Sequence, residues 1–152
     1  MMTDRTGRDG DTVATLGGAL RFVGGARVGL TKNHDSAFYG PVSLPLGVHV
    51  THIPEDDAWC GCGVHLQVDV LDLGEYVSFN DQANVAKPNL ADALAPSFTL
   101  GMAFGKSVPF VLGVTAGYSP RVVLAPESSP NDKGALNLGV TAGMEVPLFD
   151  MN

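Results

Sequence analysis

The stretch that decides the fold of this chain is LNLGVTAGMEV, which runs from Leu136 to Val146. Every even-numbered residue in it is apolar, while the odd-numbered positions hold Asn, Gly, Thr, Gly and Glu. A period of two residues predicts a β-strand with two unlike faces. The second face is mostly small rather than richly charged, as a water-exposed face would be. This pattern is typical of a strand that contacts lipid on its outside and a narrow, crowded interior on its inside.

Five earlier stretches keep the same phase, with apolar residues at even positions: Leu16–Thr31, Phe38–Thr51, Gly61–Val70, Ser97–Phe104 and Phe110–Ser119. The regular runs are about the 9–11 residues that a tilted strand needs to cross a bilayer, and none approaches the roughly 18 apolar residues of a spanning helix. We therefore expect an all-β protein, an antiparallel transmembrane-type β-barrel with about six strands present, either complete or part of a larger barrel. The rival is a soluble β-barrel or sandwich, in which Leu112, Val114, Leu138 and Val140 would pack inside a closed core.

The connections between these stretches differ in length in the way that such a barrel requires. Lys106–Val108 reads as a tight turn, whereas Asn80–Pro96 and Leu124–Lys133 read as long polar loops. Outer-membrane barrels have short periplasmic turns and longer external loops. We therefore place both long loops and the Lys32–Ser36 link at the outer end, and the turn around Ile53–Asp57 at the inner end.

Aromatic residues fall mainly near the predicted strand ends, where interfacial girdles of membrane proteins lie. Aromatic residues also favour strands in general, so this placement alone does not decide between lipid and water. The residues concerned are Phe38, Tyr39, Trp59, Phe98, Phe104, Phe110, Tyr118 and Phe149, with Phe22 in mid-strand.

Two stretches depart from the regular pattern. Pro41 and Pro45 lie inside the second stretch, and a proline cannot donate a ladder hydrogen bond. Either the part from Phe38 to Leu44 forms a loosely paired rim, or the strand begins near Leu46. The third stretch changes phase after Val70, which predicts a bulge near Leu71-Asp72, or a turn over Asp72–Glu75 followed by a short strand Tyr76–Phe79.

Composition narrows the functional classes. Charged residues make up 16% of the 152-residue chain and its net charge is -7, against roughly 25% charged in soluble domains. No basic cluster is present, which argues against nucleic-acid binding. Cys60 and Cys62 share one strand face at a spacing that suits neither a disulfide nor a metal pair. We expect no metal and no cofactor.

The beginning of the chain is polar, and Met1–Gly10 lacks the apolar core of a signal peptide. We divide the chain into a flexible polar segment over 1–13, barrel strands over 14–149 and a tail over 150–152. Eight strands is the smallest number in bacterial single-chain barrels. Six strands must therefore close as a very tight ring, pair with lost N-terminal strands, or pair with another copy. We expect the second, which would make this chain a C-terminal fragment.

The chain resembles the closing strands of uncharacterised bacterial outer-membrane β-barrel proteins. The resemblance lies in Val68–Gly74, Phe98–Gly101, Val111–Val114 and Gly143–Phe149, and it covers about residues 16 to 149. It implies a bacterial outer-membrane location with lipid as the surrounding partner. Many such barrels end on an aromatic residue, whereas Asp150, Met151 and Asn152 follow Phe149 here.

The odd-numbered face carries the polar residues that we expect to face the lumen: Arg21, Arg27, His49, His65, Gln67, Asp69, Arg121, Asn137 and Glu145. Charges in a small barrel must pair, because an isolated buried charge is costly. The set is interpreted either as internal filling, which the neighbouring glycines favour, or as the lining of a conduit or ligand pocket. A hydrolytic group of His49 or His65 with Ser43 or Asp69 is a minor alternative, since no nucleophile motif accompanies it.

These observations predict a non-enzymatic outer-membrane barrel that acts as a small pore, an anchor or a platform for partners bound by the external loops. The alternatives are a soluble β binding module and a lipid-modifying barrel hydrolase. The likeness is too general to indicate a substrate, a ligand or a particular partner.

Overall fold

The computed structural model describes residues 12–30, 36–40, 42–54, 62–76, 93–104, 110–120 and 134–151. Their elements are β1 (Thr12–Gly29), β2 (Ser36–Tyr39), β3 (Val42–Ser43), β4 (Pro45–His52), β5 (Gly63–Asp72), α1 (Leu73–Tyr76), β6 (Ser97–Phe104), β7 (Phe110–Ser119) and β8 (Ala135–Asp150). The strands form one antiparallel sheet that closes when β1 pairs with β8, which gives a six-stranded barrel of β1, β4, β5, β6, β7 and β8. The predicted all-β, antiparallel barrel is confirmed, whereas its transmembrane character stays a prediction.

The second alternating stretch forms one interrupted arm along β1. The register is constant over its whole length, from Val28 opposite Ser36 in β2 to Thr12 opposite His52 in β4. β4 begins at Pro45, and β2 and β3 pair with the upper half of β1 as the rim that the prolines predicted.

The six strands are strongly staggered. Following paired residues around the ring from Gly17 of β1 passes through β4, β5, β6, β7 and β8 and returns to β1 at Arg27, ten residues further along. A large stagger tilts the strands and widens the ring, since strand number, tilt and size are linked in a closed barrel. The stagger also explains the length of β1. The first part of β1 pairs with β4 and its last part pairs with β2, while β8 pairs along its other edge.

The very tight ring is therefore the arrangement that forms. Fifteen residue pairs join β1 to β8 between Thr15 and Gly29. Our expectation that closure requires lost N-terminal strands or another copy is wrong for the ring itself, since its edges are already paired. The physical reason is the stagger, which widens the six-stranded ring enough for its interior to hold large polar side chains.

The predicted phase change in the third stretch is a bulge. The β4–β5 register shifts between Leu46 and Gly47, which leaves Val70 without an opposite residue. This turns the even-numbered Asp72 into the interior, where it is 8% exposed. Tyr76 ends the single turn α1, so it is not the first residue of a strand as predicted, and residues 77–79 lie outside the described part.

The two faces of the barrel are as the alternation predicted. Leu112, Val114, Leu138 and Val140 point outward with 49%, 57%, 66% and 59% of their surfaces exposed. A soluble barrel with these residues in its core is therefore wrong. Among the strand residues whose side chains the structure describes, no Asp, Glu, Lys or Arg lies on the outer face.

The two longest links lie at one end as predicted, but link 30–35 at that end is shorter than link 53–62 at the other, and which end faces outward stays a prediction. Links 30–35, 73–96 and 120–134 share one end of the barrel, which we call the long-loop end. Links 53–62 and 105–109 share the opposite end with the start of β1 and the finish of β8. Exposed aromatic residues occur near both ends, with Phe38, Phe98 and Tyr118 toward the first and Phe110 and Phe149 toward the second. Trp59 lies outside the described residues.

Candidate functional site

The interior of the barrel is filled by a network of charged and polar side chains. Arg21 comes from β1, His49 from β4, His65, Gln67 and Asp69 from β5, and Glu145 from β8. None of them is more than 4% exposed. They reach the interior because odd-numbered residues point inward on each of these strands. Burial of this many charges is tolerated only where each has partners.

Asp69 is the centre of the first half of this network. Its carboxylate accepts hydrogen bonds from Arg21 Nη2 at 3.0 Å, Gln67 Nε2 at 2.6 Å and Ser97 Oγ at 3.0 Å. Arg21 also donates from Nη1 to Thr99 Oγ1 at 2.9 Å. The Arg21–Asp69 ion pair therefore joins β1 to β5 across the interior. Gln67 of β5 and Ser97 and Thr99 of β6 add hydrogen bonds to this pair.

Glu145 is the centre of the second half. Its Oε1 lies 2.8 Å from His49 Nδ1 and 3.2 Å from His65 Nε2. The other His49 nitrogen, Nε2, lies 3.7 Å from Asp69 Oδ1, so His49 stands between the two carboxylates. The His49 contacts are close approaches of charge rather than aligned hydrogen bonds. His65 Nδ1 in turn contacts Thr51 Oγ1 at 3.1 Å.

A separate polar cluster lies toward the long-loop end. Half-buried Arg27 donates from Nε to Asn137 Oδ1 at 2.7 Å and from Nη2 to Ser119 Oγ at 3.3 Å. Asn137 Nδ2 donates to Ser119 Oγ at 2.6 Å. Arg121, the remaining residue of the predicted inward set, lies outside the described residues.

A small cavity lies between the two clusters. Its volume is about 30 Å³, and Arg21, Asp72, Ser97, Ser119 and Asn137 are among its lining residues. This volume accommodates water, for which a buried polar site needs at least about 10–15 Å³. The charged network beside this cavity is at most 4% exposed, and this packing of the described interior favours internal filling over an open conduit for solutes.

The hydrolytic alternative finds no support in the position of its nucleophile. Ser43 Oγ donates to Asp72 Oδ2 at 2.5 Å, in a pair that also involves the backbone amides of Leu44 and Gly74. Within the described ranges, Ser43 has no contact with His49 or His65, and no three His, Cys, Asp or Glu residues are grouped to hold a metal ion. Cys62 is buried, and Cys60 is outside those ranges.

Sequence reasoning missed several interior residues. Thr99 and Thr115 are buried and hydrogen-bond to each other at 3.1 Å, and their odd numbers already placed them inside. Ser97 also has an odd number and contacts Asp69. The alternation placed Asp72 on the outer face because its number is even, and only the bulge at Val70 turns it inward.

Comparisons with protein-family models, with curated proteins and with solved structures find no match. The resemblance to bacterial outer-membrane barrels therefore stays an expectation from the sequence. Within the described part of the chain, no helix has the length and apolar character to cross a membrane.

Proposed function

We propose that this protein is a non-enzymatic, membrane-embedded β-barrel of the bacterial outer-membrane type. In this role the barrel is an anchor, and the loops at the long-loop end are a platform for external partners. Residues 73–96 and 120–134 form the two longest links at that end.

The observation that carries this proposal is the outer face of the barrel. Large apolar residues are exposed on all six strands of the ring, and the described outer positions include no charged residue. A soluble monomer rarely exposes a contiguous apolar patch of more than a few hundred Å². Lipid is the environment in which an apolar outside around a polar inside is favourable. Closure of the ring supports the same environment, since open strand edges are not tolerated in hydrocarbon.

The filled interior distinguishes an anchor from a pore. A pore needs a continuous water-filled path, whereas the Arg21–Asp69 pair and the Glu145 contacts with His49 and His65 cross this interior. Moving these groups aside would separate buried opposite charges, which is costly. We therefore favour a barrel that is closed to hydrated ions and metabolites.

Reconstitution of the purified chain into phosphatidylcholine vesicles tests the proposal. We expect the protein to float with the vesicles, to show β-rich circular dichroism, and to migrate differently on a gel before and after heating. In planar bilayers the inserted protein should give no stepwise ionic conductance. A protein that is folded and monodisperse in detergent-free buffer and does not bind vesicles would contradict membrane embedding. Stepwise conductance would show that the barrel is a pore rather than a closed anchor.

A further inference from the structure

The interior network has a feature that an anchor alone does not require. Carboxylates and imidazoles alternate in it in the order Asp69, His49, Glu145, His65. Arginine–carboxylate pairs alone would fill the space without any group that exchanges a proton readily. Ionisable residues inside a membrane protein are expensive, and chains of Asp, Glu and His there mark proton relays.

We propose that this alternating chain relays protons through the barrel, a role that rests on the proposed membrane embedding. The path begins at the cavity, where Ser97 Oγ lies 3.0 Å from Asp69. It continues over the close approaches of 3.7 Å from Asp69 to His49 and 2.8 Å from His49 to Glu145, which rotation of the His49 ring aligns into hydrogen bonds for each transfer. It then passes over 3.2 Å from Glu145 to His65 and 3.1 Å from His65 to Thr51, the next-to-last residue of β4.

Proton transfer along this path is balanced at each group. Asp69 takes up the arriving proton as an O–H bond and, after its carboxyl group rotates, loses that proton to His49, while Glu145 forms and then breaks one O–H bond at Oε1, the oxygen that faces both imidazoles. Thr51 accepts a proton at Oγ1 from His65 and releases its own hydroxyl proton to solvent at the end of the barrel. His49 and His65 receive at one ring nitrogen and release from the other. The hydroxyls and rings afterwards reorient, so one proton crosses, the chain is restored, and the transmembrane proton gradient is the driving force.

The surroundings of the path restrict it to protons. The cavity at its entry has a volume of about 30 Å³, which accommodates water but not a hydrated ion, and beyond it the path consists of side chains. Among the described residues, the titratable groups beside His49 are Asp69 and His65 from β5 and Glu145 from β8, while Arg21 from β1 pairs with Asp69. The described inward positions of β6 and β7 hold only Ser, Thr, Gly, Ala and Val.

A vesicle flux assay tests the relay. The full chain is reconstituted into phosphatidylcholine and phosphatidylglycerol vesicles that contain the pH dye pyranine, and valinomycin with a potassium gradient drives proton entry. We expect the wild-type protein to acidify the vesicles several-fold faster than the leak of protein-free vesicles. Glu145→Gln and His49→Gln should each return the rate to the protein-free value, and Ser97→Ala should slow it several-fold by removing the hydroxyl at the entry.

Thr141→Val is the matched control. Thr141 is buried on β8 like Glu145, but its hydroxyl has no hydrogen-bond partner among the described residues and it is not part of the path. This variant should keep the wild-type rate. Insertion of every variant is measured separately by flotation and heat-dependent gel mobility, so that loss of the relay is distinguished from loss of membrane embedding.

Three results would overturn the relay while leaving the anchor intact. The first is an inserted wild-type protein whose acidification rate equals that of protein-free vesicles. The second is an inserted Glu145→Gln or His49→Gln variant at the wild-type rate or, where these variants fail to insert, Ser97→Ala at the wild-type rate. The third is passage of potassium or chloride through the barrel as fast as protons. Failure of the wild-type chain to insert would instead contradict the proposed function.

Discussion

At the scale of single residues, Asp69 organises the interior because it neutralises Arg21 and accepts hydrogen bonds from Gln67 and Ser97. Replacing one partner of a buried ion pair leaves the other charge uncompensated, at a cost of about 3–5 kcal/mol. We therefore predict that Asp69→Asn lowers the free energy of unfolding by about that amount. Urea titration of the protein in vesicles, followed by tryptophan fluorescence and gel mobility, measures this change.

Thr141→Val is again the control at this scale. It removes a buried hydroxyl to which no described residue hydrogen-bonds and replaces it with a methyl group of similar size. Loss of an unsatisfied polar group is nearly neutral or stabilising. A similar destabilisation by both substitutions would mean that interior volume, rather than the Arg21–Asp69 charge pair, determines stability here.

At the scale of the strands, closure depends on inward glycines that lie opposite one another. Such pairs occur at three junctions: Gly17 with Gly47, Gly25 with Gly139, and Gly101 with Gly113. A Cβ on Gly25 would lie 2.1 Å from the Leu138 carbonyl oxygen and 2.5 Å from Gly139 Cα, so β1 and β8 would have to separate. Glycine at such positions lets a sheet bend sharply enough to close.

Gly25→Ala and Gly24→Ala form a matched pair of variants that tests this role. Gly25→Ala should lower the free energy of unfolding by about 1–3 kcal/mol through overpacking. Gly24 faces outward, and a Cβ there meets nothing within 4 Å. Gly24→Ala should be neutral or stabilise by about 0.4–1 kcal/mol, since it reduces the freedom of the unfolded chain. Equal stabilities of the two variants, measured by urea titration, would show that the β1–β8 junction is not closely packed.

At the scale of the whole molecule, the surrounding solvent decides the effect of charge on the outer face. Val114 is 57% exposed in the middle of β7, whereas Leu30 is 45% exposed just beyond the end of β1. For a barrel in lipid, a lysine near the midplane costs about 2–4 kcal/mol and one near the interface about 0–1 kcal/mol. On a soluble barrel both substitutions would be surface changes within about 0.5 kcal/mol.

We therefore predict that Val114→Lys destabilises the vesicle-bound protein by about 2–4 kcal/mol and that Leu30→Lys changes its stability by less than about 1 kcal/mol. Unfolding of both variants in vesicles, compared with the wild-type protein, measures the difference. A Val114→Lys variant as stable as Leu30→Lys would show that the outer face is not in contact with hydrocarbon.

The sequence by itself determined the strands and their two faces. Period-two alternation is a local property, so Leu138 and Val140 were predicted outside, and Asn137 and Glu145 inside, without knowledge of any neighbouring strand. The prolines of the second stretch and the phase change after Val70 also marked the rim and the bulge from local rules. Most of the inward-facing residues that form the candidate site were predicted from the same alternation.

Only the tertiary structure decided how the strands close and which inward residues meet. Pairing of β1 with β8 depends on the stagger accumulated over the whole ring, and no single stretch of sequence encodes that sum. The same stagger brings His49 within 2.8 Å of Glu145, which lies far from it in sequence. Asp72 faces inward only because of the irregular pairing between β4 and β5. Local periodicity determines the face of a residue, whereas its partner depends on register, which is set by contacts between distant strands.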